Sequence, residues 1–248
     1  QGALACGPDH PMDPASAAQA IRDGHPEQRI YHNCSGKHCG FLTVAKHRGW
    51  ALDSYAEIEH PAQQLYLDAF SEMLGRDARE LEFGIDGCAL PAAALPLDEM
   101  AIMMARYAAN ATGSAARRAA IAQIHDAMRA HPELISGSEQ PNVHISRVTQ
   151  GRLIVKTGAE GFIMAYSPQQ KMAAALKIAD GEQRARFPAL IALLGSVGML
   201  SADEARQLSP IAEPPVRNSV GATVGGIAAC GLPTRSTTTP IRGSKRRR

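Results

Sequence analysis

The sequence predicts an α+β fold, with helices packed on a mostly antiparallel sheet. Two patterns indicate it. Apolar residues recur at helical spacing in several segments that end at glycine, whereas short runs in the second half alternate as strands do. With 248 residues, of which 45% are hydrophobic, the chain is long enough to bury a substantial core.

Three helices are predicted in the first third of the chain. Asp13 reads as the N-cap residue of a helix over residues 14–22, because a proline follows it at the first helical position. Helices over residues 36–48 and 62–74 have apolar faces, and each is followed by a glycine where a C-terminal cap belongs. Each of the three segments therefore carries a residue that marks a helix terminus.

The spacing of apolar residues then changes from the helical period to the alternation of a strand, and afterwards returns to the helical period. Residues 81–86 alternate apolar and polar, which predicts a strand that runs into a loop over residues 86–91. Helices are predicted over residues 97–109 and 115–130. This order of elements favours α+β over an all-helical fold.

A β region follows, and it supplies most of the predicted sheet. Four short strands at this spacing indicate an antiparallel meander, over residues 143–148, 152–156, 162–166 and 172–178. Residues 184–198 predict a helix that Pro188 bends or starts late. Ser201 opens a capping box and with it another short helix.

The composition of the sequence indicates its domain organisation and excludes some classes of partner. We expect one domain over residues 1–228 and a disordered basic tail over residues 229–248. A net charge of +2 argues against nucleic acid or a membrane as the main partner, and no stretch of 18 apolar residues predicts a transmembrane helix. Five cysteines, an odd number, fit a reducing, cytoplasmic compartment better than a disulfide framework.

The run NCSGKHCG, residues 33–40, is the first candidate for chemistry. Cys34 precedes a predicted helix, where backbone N–H groups, the helix dipole and Lys37 would favour its thiolate. A thiolate in this position is a nucleophile or a soft metal ligand. Cys88, in the loop after the strand over residues 81–86, can meet Cys34 only in the folded chain, because 54 residues separate them.

Two distant cysteines are a weak metal signal on their own. Burial of each thiol as a small hydrophobic side chain therefore stays an alternative. His32, His38 and Cys39 are further candidate ligands. Lys37 would be an unusual zinc ligand because its amine must first lose a proton, which zinc and a neighbouring thiolate would favour.

A second motif, Lys156-Thr157-Gly158, ends a predicted strand. Enzymes with a Ser-x-x-Lys nucleophile often carry Lys-Thr-Gly on a strand beside the active site, where the lysine supplies positive charge. None of the serines in this chain has a lysine three residues on. Cys34 has Lys37 at that spacing, so a Cys-x-x-Lys nucleophile is formally available.

Four segments in one order carry a family resemblance: CGPDHPMD at 6–13, NCSGKH at 33–38, GCALP at 87–91 and KTGAEG at 156–161. Together they resemble the asparaginase II family of the Rhizobium etli type. The NCSGKH run is the most specific of the four. The resemblance covers residues 3–227.

The resemblance implies hydrolysis of the side-chain amide of L-asparagine to aspartate and ammonia, on a fold similar to serine β-lactamases and glutaminases. It implies zinc bound by Cys34, Lys37 and Cys88, with Asp86 as a substrate-binding residue in the same site. It matches Lys156 to a catalytic and substrate-binding lysine. Zinc would orient the substrate while a serine attacks and a lysine acts as its base. The resemblance also suggests a homodimer.

The sequence departs from the family at its start. The family carries Arg-Ser-Ser-x-Lys-Pro and Ala-Ser-His-x-Gly-Glu segments upstream of its Cys-Gly-Pro run, and neither is present here. We therefore expect an N-terminally truncated member that lacks the nucleophilic serine, its lysine base and the first strands of the sheet. This argues against activity of the chain as given, because catalytic groups that act as a unit fail together.

Other functions stay open beside the asparaginase hypothesis. One is a non-catalytic zinc- or asparagine-binding remnant, which still binds the metal but no longer catalyses the reaction. Another is an amidase that uses Cys34 as nucleophile and Lys37 as base. An unrelated β-lactamase-like or glutaminase enzyme is disfavoured by the absent Ser-x-x-Lys.

Overall fold

A computed structural model describes residues 2–231. It confirms the α+β prediction, with helices and three small antiparallel sheets. The chain forms two compact units that divide between Leu95 and Pro96. No helix within the described range is long and apolar enough to cross a membrane. Most of the predicted tail, from residue 232 onward, lies outside the described residues.

The first unit holds three helices and a two-stranded antiparallel sheet: α1 (Pro14–Arg22), α2 (Ser35–Arg48), α3 (Pro61–Leu74), β1 (Phe83–Ile85) and β2 (Pro91–Ala93), with 3₁₀ turns at Arg29–Tyr31 and Ala78–Glu80. All three helices lie within one residue of their predicted bounds. Asp13 caps α1 by accepting the Ser16 N–H at 3.0 Å. Gly49 and Gly75 end α2 and α3 with φ of 70° and 85°, which glycine adopts at little cost.

A small apolar core lies beside α2 in this unit. Its buried members are Leu4, Cys6, Tyr55, Cys88 and Leu90. Cys34 on the helix side packs against the same cluster. This core therefore brings the turn between β1 and β2 to the N-terminus of α2, although the two are far apart in sequence.

The second unit is built on a three-stranded antiparallel sheet in the order β3-β4-β5. Its elements are α4 (Leu97–Ala109), α5 (Ala115–Ala130), α6 (Glu133–Ser136), α7 (Pro141–Val148), β3 (Ile154–Thr157), β4 (Phe162–Ser167), β5 (Met172–Lys177), a 3₁₀ turn (Gln183–Ala185), α8 (Arg186–Ser196), α9 (Ala202–Gln207), α10 (Ser209–Ala212), β6 (Pro215–Arg217) and β7 (Thr223–Gly226). The last two strands pair as a hairpin.

The three-stranded sheet is buried on both faces. Ile154 and Tyr166 contribute to a cluster with Ala108 of α4. Their strand neighbours Val155 and Ala165 belong to the main core with α8. Because successive side chains on a strand point to opposite faces, the sheet is sandwiched between these helices.

One predicted strand is wrong. Residues 143–148 belong to helix α7, which reduces the predicted four-stranded meander to three strands. Pro141 stands at the first helical position, where its fixed φ suits a helix and no N–H is needed. Val143 and Ile145 are both fully buried, and their β-branched spacing imitates a strand pattern in the sequence.

The remaining predictions vary in accuracy. The helices over residues 97–109 and 115–130 have the predicted bounds, and the capping box at Ser201 opens α9. α8 begins at Arg186 after a 3₁₀ turn and carries Pro188 in its first turn, as a late start requires. Strand β2 begins at Pro91, the last residue of the predicted loop, and it was not predicted; nor were α6, α10 and the β6–β7 hairpin.

Candidate metal centre

Three predicted site residues of the first unit meet in space. Cys34, Asp86 and Cys88 place one ligand atom each within 4.8 Å of the others. Cys34 is the N-cap residue of α2, while Asp86 and Cys88 belong to the turn that joins β1 to β2. Among the described residues this is the group that can hold a metal ion.

Backbone hydrogen bonds give the turn between β1 and β2 its shape. The N–H of Asp86 donates to the Leu90 carbonyl at 2.9 Å, and the N–H of Ala89 donates to the Asp86 carbonyl at 2.8 Å. Ala89 has φ of 69°, a left-handed conformation that is uncommon for a residue with a side chain. The turn therefore directs Cys88, which is 2% exposed, into the core beside α2.

Asp86 Oδ2 accepts two hydrogen bonds within the cluster. The Lys37 ammonium lies 3.2 Å away, and the Cys88 thiol donates to the same oxygen at 3.2 Å. Burial alone would raise the pKa of Asp86, but these two donors, with the Gly87 N–H on Oδ1, lower it below its usual value. Asp86 is therefore a firmly ionised carboxylate.

The pKa shifts upward for Cys34 and Lys37, two of the groups that would have to lose a proton to a metal. Burial raises the pKa of the Cys34 thiol, with Cys88 and Asp86 adding to the rise and Lys37 opposing it. Burial would lower the pKa of Lys37, but Cys88, Cys34 and Asp86 together raise it. Burial therefore opposes the thiolate that the helix terminus and Lys37 favour at Cys34.

His38 lies one residue beyond Lys37 and is completely buried. Its Nδ1 is 2.6 Å from the Tyr55 hydroxyl, and its Nε2 has no hydrogen-bond partner of normal geometry. Burial and the positive charge of Lys37 lower the pKa of His38, so the ring is neutral. The sequence motif includes His38, but it gave no signal for Tyr55, which lies outside every quoted segment.

The other candidate ligands lie outside the cluster. His32 Nδ1 accepts the Cys34 N–H at 3.0 Å, and Cys39 is exposed to solvent. Lys156 belongs to the second unit, on β3, where its Nζ donates to the Thr157 carbonyl at 2.7 Å. A side chain at Gly158 would meet the Phe162 ring at 2.7 Å, so this position needs glycine. The catalytic role of Lys156 stays a prediction.

The sequence matches a family model described as L-asparaginase II over residues 1–229. The chain belongs to the L-asparaginase II family. No curated protein matches it. Family membership supports an asparaginase-like hydrolase function in general terms and covers both compact units of the chain.

The donor set of this L-asparaginase II chain fits zinc. Thiolate sulfur, carboxylate oxygen and amine nitrogen are all donors that zinc accepts. A tetrahedral ion with sulfur at about 2.3 Å holds two sulfurs about 3.8 Å apart, which the present spacing allows with small side-chain rotations. His38, next to Lys37 in sequence, adds a buried polar atom, Nε2, without a hydrogen-bond partner of normal geometry.

Proposed function

We propose that this chain is a zinc-containing L-asparaginase of the Rhizobium etli type, with Cys34, Lys37 and Cys88 as ligands. One observation supports this most. Cys34 and Cys88, far apart in sequence, place their sulfurs within 4.8 Å of each other and of a charged carboxylate. Membership of the L-asparaginase II family supports a role for this cluster in amide hydrolysis.

Asp86 is the residue that would bind the substrate. Its Oδ2 accepts hydrogen bonds from Lys37 and Cys88 in the present structure. When these two donors turn to a metal, the Asp86 carboxylate is free to accept from the ammonium or amide group of L-asparagine. A bound zinc supplies a positive charge that orients a polar group of the substrate.

We assign no attacking serine among the 248 residues. No serine in the sequence has a lysine three residues on. We propose that the nucleophile and its base belong to an upstream segment of the family, and that Lys156 supplies positive charge near the reaction. We further propose L-asparagine as the partner, a homodimer as the assembly and the cytoplasm as the compartment, where the five free cysteines stay reduced.

A metal-binding remnant is the second candidate. The proposed ligands all lie in one compact unit, so zinc binding could persist without catalysis. An amidase with Cys34 as nucleophile is less well supported, because burial raises the pKa of that thiol.

The test measures metal content and ammonia release on the purified chain. Cys34→Ala and Cys88→Ala are compared with Cys39→Ala, an exposed cysteine outside the cluster. We expect about one zinc per unmodified chain, lost in the first two variants and kept in the third. Zinc without ammonia release from L-asparagine would identify the remnant. Ammonia release that is independent of zinc and abolished by Cys34→Ala would replace the proposal with a cysteine amidase.

A further inference from the structure

An arginine at the start of helix α8 lies against the Lys-Thr-Gly motif of the second unit. Arg186 is the first residue of α8, and its Nη1 donates to the carbonyl of Gly158, the last residue of the motif, at 3.2 Å. Its guanidinium carbon also lies 5.3 Å from the centroid of the Phe187 ring. These contacts hold a half-buried guanidinium beside the end of β3.

The positive charge of Arg186 has no counterion. Among residues 2–231, its hydrogen bonds go to a backbone carbonyl and a side-chain amide, and no carboxylate pairs with it. Arg152, which is also half-buried, instead donates from Nη2 to both carboxylate oxygens of Glu204. Burial lowers the pKa of Arg186, because the charged form has lost part of its hydration. A partly buried cation without a counterion is costly, so a bound anion would offset that cost.

One edge of the Arg186 guanidinium has unused hydrogen-bonding capacity. Its Nε is buried and has no hydrogen-bond partner. Nη2, on the same edge, has one long hydrogen bond within the described range, to Gln183 Oε1 at 3.4 Å. Gln183 is exposed, so its side chain can turn into solvent and leave no buried amide unpaired. The N–H groups of this edge form a planar fork that matches the two oxygens of a carboxylate.

We propose that Arg186 binds the α-carboxylate of L-asparagine through Nε and Nη2, in place of the Gln183 amide. The inference rests on the proposed function and deepens it. Asp86 is the proposed acceptor for the ammonium or amide group of L-asparagine, whereas its α-carboxylate has had no partner. The position of Arg186 supports this assignment, since it is bonded to Gly158, two residues after Lys156, whose charge is proposed to act near the reaction.

Equilibrium binding of two ligands to the full chain, purified and supplied with zinc, tests this role. Calorimetry compares L-asparagine with β-alaninamide, which has the same ammonium and amide groups but no α-carboxylate. Arg186→Gln removes both the charge and the fork, and Arg186→Lys keeps the charge without the fork. Arg184→Gln is the matched control, since Arg184 lies two residues away and its side chain is 65% exposed.

We expect the unmodified chain to bind L-asparagine about 10–100-fold more tightly than β-alaninamide, as hydrogen bonds between charged groups provide. Arg186→Gln should abolish this preference, Arg186→Lys should keep part of it and Arg184→Gln all of it. The ratio of the two affinities within one variant is compared, because a merely structural role in holding Gly158 would weaken both ligands alike. In the ¹⁵N-labelled chain, the Arg186 Nε–H resonance, identified by its loss in Arg186→Lys, should shift with L-asparagine and stay in place with β-alaninamide.

The outcomes separate this inference from the proposed function. If Arg186→Gln binds L-asparagine with the same preference as the unmodified chain, the carboxylate lies elsewhere and the role of Arg186 alone is overturned. An Nε–H resonance that does not move at saturating L-asparagine overturns it as well, as does equal affinity of the unmodified chain for the two ligands. If the unmodified chain binds neither ligand, both the role of Arg186 and the proposed substrate are wrong.

Discussion

Zinc binding should release a defined number of protons, and Lys37 should account for one of them. In the metal-free site the raised pKa values of Cys34 and Lys37 favour the protonated forms of both groups. The Cys88 thiol donates its hydrogen to Asp86, and the pKa values of Cys34 and Lys37 are raised above 9.0 and 10.5. A metal ligand must be deprotonated, so each of the three loses a proton on binding.

The expected release near pH 7.5 is therefore about three protons per zinc, and zinc affinity should rise about a thousandfold per pH unit. The sign follows from the shifts. Because the pKa values of Cys34 and Lys37 are raised, a neutral solution leaves the protons in place and zinc must displace them, whereas alkaline solution removes them beforehand. Lys37→Gln cannot release the amine proton, so about two should remain.

Isothermal titration calorimetry in buffers of different ionisation enthalpy counts these protons. Lys46→Gln is the control, because Lys46 is an exposed lysine on the same helix and should leave the count unchanged. The reasoning fails if Lys37→Gln releases as many protons as the unmodified chain. Lys37 would then remain an ammonium paired with Asp86 at 3.2 Å, and the metal would take its third ligand elsewhere.

Two further predictions concern the stability of the second unit. Leu190→Ala, at a fully buried position of the main core, should lower the free energy of unfolding by about 2–5 kcal/mol, whereas Leu134→Ala, at a position 80% exposed, should change it by less than about 0.5 kcal/mol. Denaturant titration measures the free energy of unfolding of both variants. Equal losses in Leu190→Ala and Leu134→Ala would contradict the assignment of Leu190 to the core. Glu204→Gln should cost about 1–3 kcal/mol, because both carboxylate oxygens of Glu204 accept a hydrogen bond from Arg152 Nη2 at 2.7 Å; Asp203→Asn, on an exposed ion pair, is the control. Burial would raise the pKa of Glu204, but Ser201 and Arg152 lower it below 4.5, so its contribution is complete above pH 4.5 and is lost as the pH falls through the lower native value. Acid unfolding that is equally steep in Glu204→Gln would refute this assignment.

Local signals explain which elements the sequence could predict. Helix α1 has an N-cap aspartate followed by proline, α2 and α3 each have an apolar period and a glycine at the C-terminal end, and all three lie where predicted. The same holds for α9, where Ser201 and Glu204 form the capping box. These contacts involve residues three or four apart, so the sequence contains both partners of each interaction.

Where the decisive contacts are distant, the sequence was a poorer guide. Helix α7 was taken for a strand because Val143 and Ile145 alternate with polar residues, yet Asn142 and Ser146 are buried as well. Burial of four side chains around a short helix depends on the tertiary core, which overrides strand propensity. Strand β2 was missed for a similar reason, since Pro91–Ala93 becomes a strand only through pairing with β1.

At the candidate site, too, the sequence predicts the local contacts better than the distant ones. Cys34 and Lys37 are one helical turn apart, and their proximity follows from the helix alone. Their meeting with Cys88 came from a family resemblance, because no local pattern requires it. Tyr55 could not be found by either route. It belongs to no quoted motif, and it is linked to the motif through its hydroxyl, which accepts the Ala5 N–H and lies 2.6 Å from His38 Nδ1.

Asp86 connects the metal-free cluster to its proposed chemistry. An ionised carboxylate beside two protonated ligands stabilises those protons, so the same residue that would later bind substrate opposes metal binding at first. Asp86→Asn should then weaken the hold on the Lys37 proton and reduce the pH dependence of zinc affinity, while it removes the acceptor for the substrate. A variant that binds zinc well and L-asparagine poorly would separate the two roles in a single protein. If Asp86→Asn instead loses zinc, the carboxylate is itself a ligand and Lys37 is the residue whose role must be reassigned.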